Sequence, residues 1–173
     1  KNTAARNELL RMRQWRPDGV IARDSEPIEH FRPWGIPLIV ASAVNENFTD
    51  LPRIMTNDTA IGEMAAKHLH ERGFINFAYC GYPDMFWSQN RGASFLKALK
   101  HLGFAATSYE PPNSRRAWVW EREQAHLATW LKSLPLPVAV MACNDDRAQQ
   151  IAEASIIAGF RVPYDVAIVG VDD

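Results

Sequence analysis

The sequence predicts an α/β protein built on parallel β-sheets. Short apolar runs, typical of buried strands, alternate along the chain with segments of helical periodicity. Alternation with helical segments of about 10–15 residues is typical of βαβ units and a parallel sheet. In addition, residues 166–171 form an unbroken apolar run that is followed by Asp172 and Asp173. Such a run is typical of a strand buried on both faces, as in parallel sheets.

The first part of the chain begins with a helical pattern and then alternates. Helices are expected over residues 2–16, 26–31 and 58–72, and strands over residues 19–22, 37–41 and 54–56. In the third of these helices, apolar side chains recur at steps of three and four residues, which places them on one face. Asp58 or Thr59 can cap the beginning of that helix, and Gly73 can end it.

The second part of the chain repeats the scheme. Strands are expected over residues 77–80, 138–142 and 166–171, with an extended segment at 108–110, and helices over residues 87–102, 117–131 and 145–158. Gly103 and Gly159 can end two of these helices, because glycine readily adopts the left-handed conformation found there. The connections between parallel strands should be right-handed crossovers.

The composition excludes several classes of protein. The 173 residues are 47% hydrophobic, and the formal net charge of -1 gives no general attraction to nucleic acid or to an anionic membrane. No apolar stretch approaches the ~20 residues that a membrane span needs, and no signal peptide is recognisable. Cys80 and Cys143 each lie in an apolar run, so buried free thiols are expected. These features lead us to expect a cytoplasmic protein without membrane contact.

The ends of the chain predict a fragment. The chain begins at Lys1 with a helix that no strand precedes, and it stops on a strand that no helix follows. A doubly wound lobe usually contains both. We therefore expect an incomplete piece of a longer protein.

Polar residues follow the predicted strands at four places. They are residues 57–58, 81–91, 144–147 and 172–173. Because the carboxyl ends of parallel strands share one edge of the sheet, these side chains are expected to converge.

The chemistry of these groups favours recognition of a neutral polyol. Planar Asp, Asn and Arg groups can hold two vicinal hydroxyls at once, and aromatic faces can pack on the C–H face of a sugar ring. The available aromatic side chains are Phe86, Trp87, Trp118 and Trp120. The alternative is plain helix capping, since Asp58, Asn144 and Asp145 all precede predicted helices.

Other chemistries fit the sequence poorly. Asp145, Asp172 and Asp173 could hold Mg²⁺, but the lysine expected beside an acidic phosphoacceptor pocket does not follow a strand. His68 and His70 are two residues apart on a helix and cannot face one metal ion. No GxGxxG or GxxxxGK[ST] motif occurs, and Cys80 has no convincing partner base. No cofactor, metal or enzymatic activity is therefore expected.

Several motifs in this order resemble the effector-binding core of lac-repressor/GalR-type transcription regulators. They are residues 56–69, 71–74, 88–95, 142–145, 162–163 and 165–173. The resemblance covers nearly the whole chain and implies the fold of periplasmic sugar-binding proteins, with two doubly wound parallel-sheet lobes. Within that family the chain looks most like the xylose-responsive regulators, on residues 81–83, 87–91 and 120–131. D-xylose is therefore the first expected effector.

The resemblance also implies roles for individual residues. Arg91, Asn144, Asp145 and Asp172 are similar to the family's sugar-hydroxyl ligands, and Asp58 is similar to a contact from the first lobe. Trp87 and Trp120 match aromatic positions near the pocket.

The resemblance further implies a domain organisation and a mechanism. Residues 1–73 would form part of the first lobe and residues 74–173 part of the second. A sugar would close the two lobes about a hinge, which in a homodimer would change DNA binding. Operator DNA would be bound by a helix-turn-helix domain that is absent from this chain.

Two other functions remain open at this point. A sugar-binding protein of a transport system would have the same fold, and a signal peptide in the full gene would favour it. An enzyme acting on a phosphorylated or nucleotide substrate would need a nucleophile, a base or a phosphate loop, which the sequence lacks.

Overall fold

All strands described by the structure pair in parallel, as the alternating pattern predicted. The structure is a computed structural model, and it describes residues 3–23, 25–41, 50–111 and 120–172. The chain divides into two compact units, Lys1–Thr56 and Asn57–Asp173. Each unit contains its own parallel sheet.

The first unit has a three-stranded sheet in the order β1-β2-β3. Its elements are helix α1 (Thr3–Gln14), strand β1 (Val20–Ala22), helix α2 (Ser25–Phe31), a 3₁₀ turn (Arg32–Trp34) and strands β2 (Leu38–Ala41) and β3 (Arg53–Ile54). Ile28 and Val40 are fully buried at the centre of its small core. Strand β3 covers residues 53–54 instead of the predicted 54–56, because it pairs with β2 only at Arg53 and Ile54.

The second unit has a four-stranded sheet in the order β5-β4-β6-β7. Its strands are β4 (Phe77–Cys80), β5 (Ala106–Ser108), β6 (Val138–Ala142) and β7 (Val166–Val169), and its helices are α3 (Asp58–Glu71), α4 (Phe86–His101), α5 (Trp120–Lys132) and α6 (Asp145–Ala158). Each helix connects or precedes a strand, so the unit is a run of βαβ crossovers. The predicted helix start at residues 117–119 lies outside the described residues.

Helices cover both faces of the second sheet, and the central strands supply a separate core to each face. Along β4 and β6, successive side chains point to opposite sides, as the period of two in a strand requires. Phe77, Tyr79 and Met141 pack with α3 and α4. Cys80 and Val140 pack with α5 and α6. Both faces are therefore buried, which explains the unbroken apolar runs in the sequence.

Helices α3 and α4 approach each other closely at Gly62. A Cβ atom at that position would lie 2.5 Å from the carbonyl oxygen of Arg91 and 2.6 Å from the amide nitrogen of Phe95. Only a residue without a side chain allows this backbone contact. Gly62 therefore fixes how near α3 comes to the second turn of α4.

The direction of the crossovers reverses between β4 and β6. Strand β4 leads through α4 to β5 on one side, and β5 leads through α5 to β6 on the other side. The carboxyl ends of β4 and β6 lie side by side, because the amide of Cys143 donates to the carbonyl of Cys80 at 3.0 Å. Open α/β sheets bind ligands at such a reversal, beyond the carboxyl ends of the strands.

Two expectations differ from the structure at the start of the second unit. Asn57, and not Asp58 or Thr59, caps α3, since its side-chain oxygen accepts a hydrogen bond from the amide of Ala60 at 3.0 Å. The second unit also begins at Asn57, whereas the sequence suggested a boundary near Gly73. The reason is that α3 packs against α4 and contributes to the core of the second sheet.

Candidate functional site

Arg91 occupies the centre of the candidate site. It lies in the second turn of α4 and is only 4% exposed. A guanidinium group keeps its charge in proteins, so a buried one needs charged or hydrogen-bonding partners. The partners of Arg91 define the site.

Two of these partners are buried and come from other elements of the second unit. The Nε of Arg91 donates to a carboxylate oxygen of Asp58, on α3, at 3.1 Å, and Asp58 is 7% exposed. One terminal nitrogen donates to the main-chain oxygen of Cys143, just after β6, at 2.6 Å. These two bonds hold the guanidinium plane in a single orientation at the carboxyl end of β6.

The third partner, Asp172, faces solvent. Its Oδ1 lies 3.4 and 3.5 Å from the two terminal nitrogens of Arg91, and its side chain is 59% exposed. Both distances are at the long limit of a hydrogen bond. Asp172 also has a φ of 115°, a backbone conformation that residues other than glycine rarely adopt. Strained backbone of this kind is frequent at ligand sites.

Trp87 supplies an aromatic wall to the site. It lies one turn before Arg91 on α4, and the guanidinium carbon of Arg91 lies 4.9 Å from the centroid of the Trp87 ring. A cation over the face of an indole is stabilised by the ring quadrupole. This stacking adds a third fixed contact to the two buried hydrogen bonds.

Asn144 and Asp145 lie at the neighbouring beginning of α6. The side-chain oxygen of Asn144 accepts a hydrogen bond from the amide of Arg147 at 3.0 Å, so Asn144 is the cap of α6. Its side-chain amide group is the part that can donate to a ligand. Asp145 is exposed, and its carboxylate lies against the backbone of Gly170, where a Cβ atom would collide with it. Asp145 is thus held beside the segment that leads to Asp172.

The structure therefore brings Asp58, Trp87, Arg91 and Asp172 into one contact network, with Asn144 and Asp145 next to it. Trp120 begins α5, but its side chain lies outside the described residues. Trp118 and Asp173 also lie outside them. Helix capping accounts for Asn144 but not for Asp58, whose carboxylate is turned to Arg91.

Burial disfavours ionisation of the two cysteine thiols, Cys80 and Cys143. Burial raises the pKa of the Cys80 thiol to about 12. Burial also raises the pKa of the Cys143 thiol. A thiol is nucleophilic only as a thiolate, so burial disfavours the nucleophilic form of both cysteines.

Among the residues that the structure describes, no group of three His, Cys, Asp or Glu side chains could hold a metal ion. Within the same ranges, no helix has the length and apolar character of a membrane span.

The sequence did not indicate two parts of this site. The main-chain oxygen of Cys143 carries no side-chain signal, although its place at the end of β6 was predictable. Gly62 lies inside a helical pattern, and its role depends on the distance between two helices. An isolated glycine inside a predicted helix is the signal that could have suggested a close contact.

The sequence profile of the periplasmic binding protein-like domain matches residues 66–173. The chain belongs to the periplasmic binding protein-like family. The resemblance and the parallel α/β fold inferred from the sequence are thereby confirmed. This periplasmic binding protein-like chain is 30% identical to the xylose operon regulatory protein of Haemophilus influenzae over 164 residues, which is 90% of the chain and 42% of that protein.

Two further relatives are also described as xylose-responsive regulators by their names. The xylose operon regulatory protein of Escherichia coli K12 is 26% identical over 181 residues, which cover 97% of this chain and 45% of that protein. A solved structure of the xylose-binding transcription activator xylR superposes with a TM-score of 0.75 at 25% identity, over 90% of this chain and 43% of that one. The chain thus spans less than half the length of these relatives.

Proposed function

We propose that this chain is the sugar-sensing effector domain of a bacterial transcription regulator, that it is not an enzyme, and that D-xylose is its effector. The observation that carries the proposal is the arrangement around Arg91. Two buried partners and an aromatic ring fix the guanidinium, while its remaining carboxylate partner is exposed and held by long bonds. A ligand hydroxyl can take the place of such bonds without disturbing the buried ones.

A pentose fits this arrangement chemically. One hydroxyl can accept from the guanidinium of Arg91 and donate to the carboxylate of Asp172, because hydroxyls both donate and accept. A neighbouring hydroxyl can interact with Asn144 or Asp145. We include Trp87 and Trp120 as aromatic walls for the C–H face of the sugar, and Asp58 as the group that orients Arg91. A sugar that lacks a matched hydroxyl would leave a polar group unpaired and would be rejected.

The relatives support the regulatory part of the proposal. Both curated relatives described above are xylose operon regulatory proteins, and the solved relative is a xylose-binding transcription activator. In the proposed mechanism the sugar favours a closed arrangement of two lobes in a homodimer. Closure changes the spacing of helix-turn-helix domains, which bind operator DNA and lie outside these residues. A regulator of this kind acts in the cytoplasm.

A transport protein remains the alternative, because it would use the same fold and the same polar edge of the sheet. The named relatives are regulators, which favours regulation over transport. A signal peptide in the full gene, together with the lack of a helix-turn-helix segment, would decide for transport.

Calorimetric titration of D-xylose tests the proposal most directly. L-arabinose, D-ribose and D-glucose serve as controls, and both this chain and a version extended at each end are titrated. Xylose-selective binding by the extended protein is the expected result. If the extended protein is well folded and binds none of the four sugars, the proposal fails.

A further inference from the structure

A second buried arginine, Arg147, lies at the same edge of the sheet but on its opposite face. Arg147 is in the first turn of α6 and is 1% exposed. Its guanidinium donates to Oε1 of Glu123, on α5, at 2.7 Å and to the sulfur of Cys80, at the end of β4, at 3.2 Å. It also donates to Oε1 of Gln150 at 2.5 Å. The hydrogen bonds of Arg147 therefore join α5, α6 and the end of β4.

Two tyrosine rings lie close to this guanidinium. Its central carbon is 5.1 Å from the ring centroid of Tyr82 and 5.1 Å from that of Tyr109. A guanidinium group can stack on aromatic faces, which a compact ammonium group does less well. Arg147 thus holds Tyr82 by contact with its ring, and Tyr82 belongs to the turn between β4 and α4.

Tyr82 also contacts Trp87, which lies at the proposed sugar site. Its ring meets the ring of Trp87 edge to face, with centroids 6.3 Å apart and planes at 76°. Trp87 in turn lies under Arg91 at 4.9 Å. A continuous series of contacts therefore runs from Arg147 through Tyr82 and Trp87 to Arg91, from one face of the sheet to the other.

The backbone of the turn is tied down separately. The amide of Tyr82 donates to the hydroxyl of Ser88 at 2.8 Å, and the hydroxyl of Tyr79 donates to the main-chain oxygen of Ser88 at 2.5 Å. The turn is thus fixed to α4 whether or not Arg147 is present. Arg147, by contrast, contacts the ring of Tyr82.

We propose that Arg147 is a positioning residue for the sugar site. It holds Tyr82, and through Tyr82 the ring of Trp87 on which Arg91 rests, so that loss of Arg147 lowers sugar affinity without loss of any sugar contact. The choice of residue supports this role. A buried ion pair with Glu123 is expensive to desolvate, and an apolar side chain could fill the same space, but it could not stack as a cation on two rings. The inference rests on the proposed function, since affinity for a sugar is its main measure.

The test compares Arg147→Lys with Arg161→Lys in the full-length protein. Lysine keeps the charge of Arg147 but loses the flat guanidinium plane. Arg161 is 73% exposed and pairs with Asp165 on the surface of the same unit, so it is the matched control. We expect the D-xylose affinity to fall about 10-fold for Arg147→Lys, by analogy with the loss of metal affinity when a residue that orients a metal ligand is replaced. The affinity should stay unchanged for Arg161→Lys.

A spectroscopic measurement separates positioning from a general loss of structure. The protein is labelled with 5-fluorotryptophan, and the ¹⁹F resonance of Trp87 is assigned with Trp87→Phe. In the absence of sugar, Arg147→Lys should shift the Trp87 resonance while the resonances of Trp15 and Trp34, in the first unit, stay in place. If the Trp87 resonance and the xylose affinity are both unchanged, the inference is wrong.

Tyr82→Leu provides a second variant should Arg147→Lys fail to fold. It removes the ring between Arg147 and Trp87 and keeps the buried ion pair. We expect the same loss of affinity, and in the double variant no further loss, because both changes break one series of contacts. Additive losses would contradict the inference. If the wild-type protein binds none of the sugars, the proposed function fails, whereas the Trp87 shift still decides whether Arg147 positions the ring.

Discussion

Arg91 and Arg147 are both buried at the carboxyl edge of one sheet, yet their surroundings differ. The carboxylate partner of Arg147, Glu123, has a side chain that is 10% exposed and lies at 2.7 Å. The corresponding outward partner of Arg91, Asp172, is 59% exposed and lies at 3.4 Å. The Arg147 cluster is complete within the protein, whereas the Arg91 cluster ends at a carboxylate in water.

The two arginine–carboxylate pairs therefore differ in how readily the arginine can exchange its partner. A short, buried ion pair cannot exchange partners without leaving a charge unpaired in a medium of low dielectric constant. A long bond to an exposed carboxylate can be exchanged for a bond to a ligand at little cost. The exposure of the outer carboxylate, more than the residue types, distinguishes the Arg91 cluster from the Arg147 cluster.

The largest effect is expected for Arg147→Ala. The change leaves Glu123 buried without its partner and opens a cavity between α5 and α6. We expect the free energy of unfolding to fall by about 4 kcal/mol, the usual cost of breaking a buried pair from one side. Urea unfolding measures it, with Arg161→Ala, which breaks an exposed pair, as the control that should lose much less. A loss below about 1 kcal/mol in Arg147→Ala would show that the cluster is not closed.

The second effect concerns the Arg91 cluster, which ends at the exposed Asp172. Asp172→Ala should lower the affinity for D-xylose by more than about 100-fold. The bound sugar hydroxyl and the Arg91 guanidinium would both lose the Asp172 carboxylate as their hydrogen-bond acceptor. The free energy of unfolding should change by less than about 1 kcal/mol, since Asp172 is exposed. Calorimetry measures the affinity for D-xylose, and urea unfolding measures the free energy of unfolding. Arg91→Ala should also abolish binding, and wild-type affinity in both variants would reject the site.

The third effect concerns the close packing of α3 on α4 at Gly62, which supports Arg91 but not Arg147. Gly62→Ala places a methyl group against the backbone of Arg91 and forces α3 and α4 apart. Overpacking costs up to about 3 kcal/mol, and the better helix propensity of alanine returns about 1 kcal/mol, so we expect a net loss of about 2 kcal/mol. Sugar affinity should fall as well, because Asp58 moves away from Arg91.

Glu63→Ala, at the exposed neighbouring position on α3, is the control for this substitution and should change neither the free energy of unfolding nor the sugar affinity. Equal behaviour of the two variants would mean that the helix contact at Gly62 does not matter.

The smallest effect is expected at the exposed pair of Arg161 and Asp165. Hydrogen bonds from Arg161 lower the pKa of the Asp165 carboxyl to about 2. The pair therefore stabilises the folded protein above the ordinary carboxyl pKa of about 4, and this contribution is lost as the pH falls from there toward 2. A ¹³C NMR titration of the Asp165 carboxyl should give a midpoint near 2. The midpoint should be higher in Arg161→Ala, where only the main-chain amide of residue 161 still donates to the carboxylate. An unchanged midpoint in that variant would show that Arg161 is not the cause.

The sequence predicted the fold well because strand and helix periods are local properties. The strand of residues 138–142 and the helix of residues 145–158 agree with β6 and α6 at both ends. The sequence offered Asp58 or Thr59 as the cap of α3, whereas the structure uses Asn57. All three residue types are good caps, so residue type alone could not choose among them. The boundary between the two units also differed, because it depends on how α3 packs.

The candidate site was predictable only in part. Arg91 ends the polar residues 81–91 after one predicted strand, Asp172 follows another, and both belong to motifs of the family. The sequence could therefore single them out. Their role in sugar binding stays a prediction. In the Arg147 cluster, only Arg147 itself was indicated, as the last of the polar residues 144–147 that follow a predicted strand. Arg147 and Glu123 lie 24 residues apart on two helices with many charged residues, and nothing in their spacing shows that both are buried.

The bond from Arg91 to the main-chain oxygen of Cys143 has a consequence for comparing homologous sequences. Every residue type offers the same oxygen, so position 143 can exchange cysteine for another small side chain while the bond persists. The bond between Arg91 and Asp58 depends on both side chains and should leave a trace as correlated substitutions. A search for co-varying positions would therefore find one anchor of this arginine and miss the other, although both hold the same guanidinium.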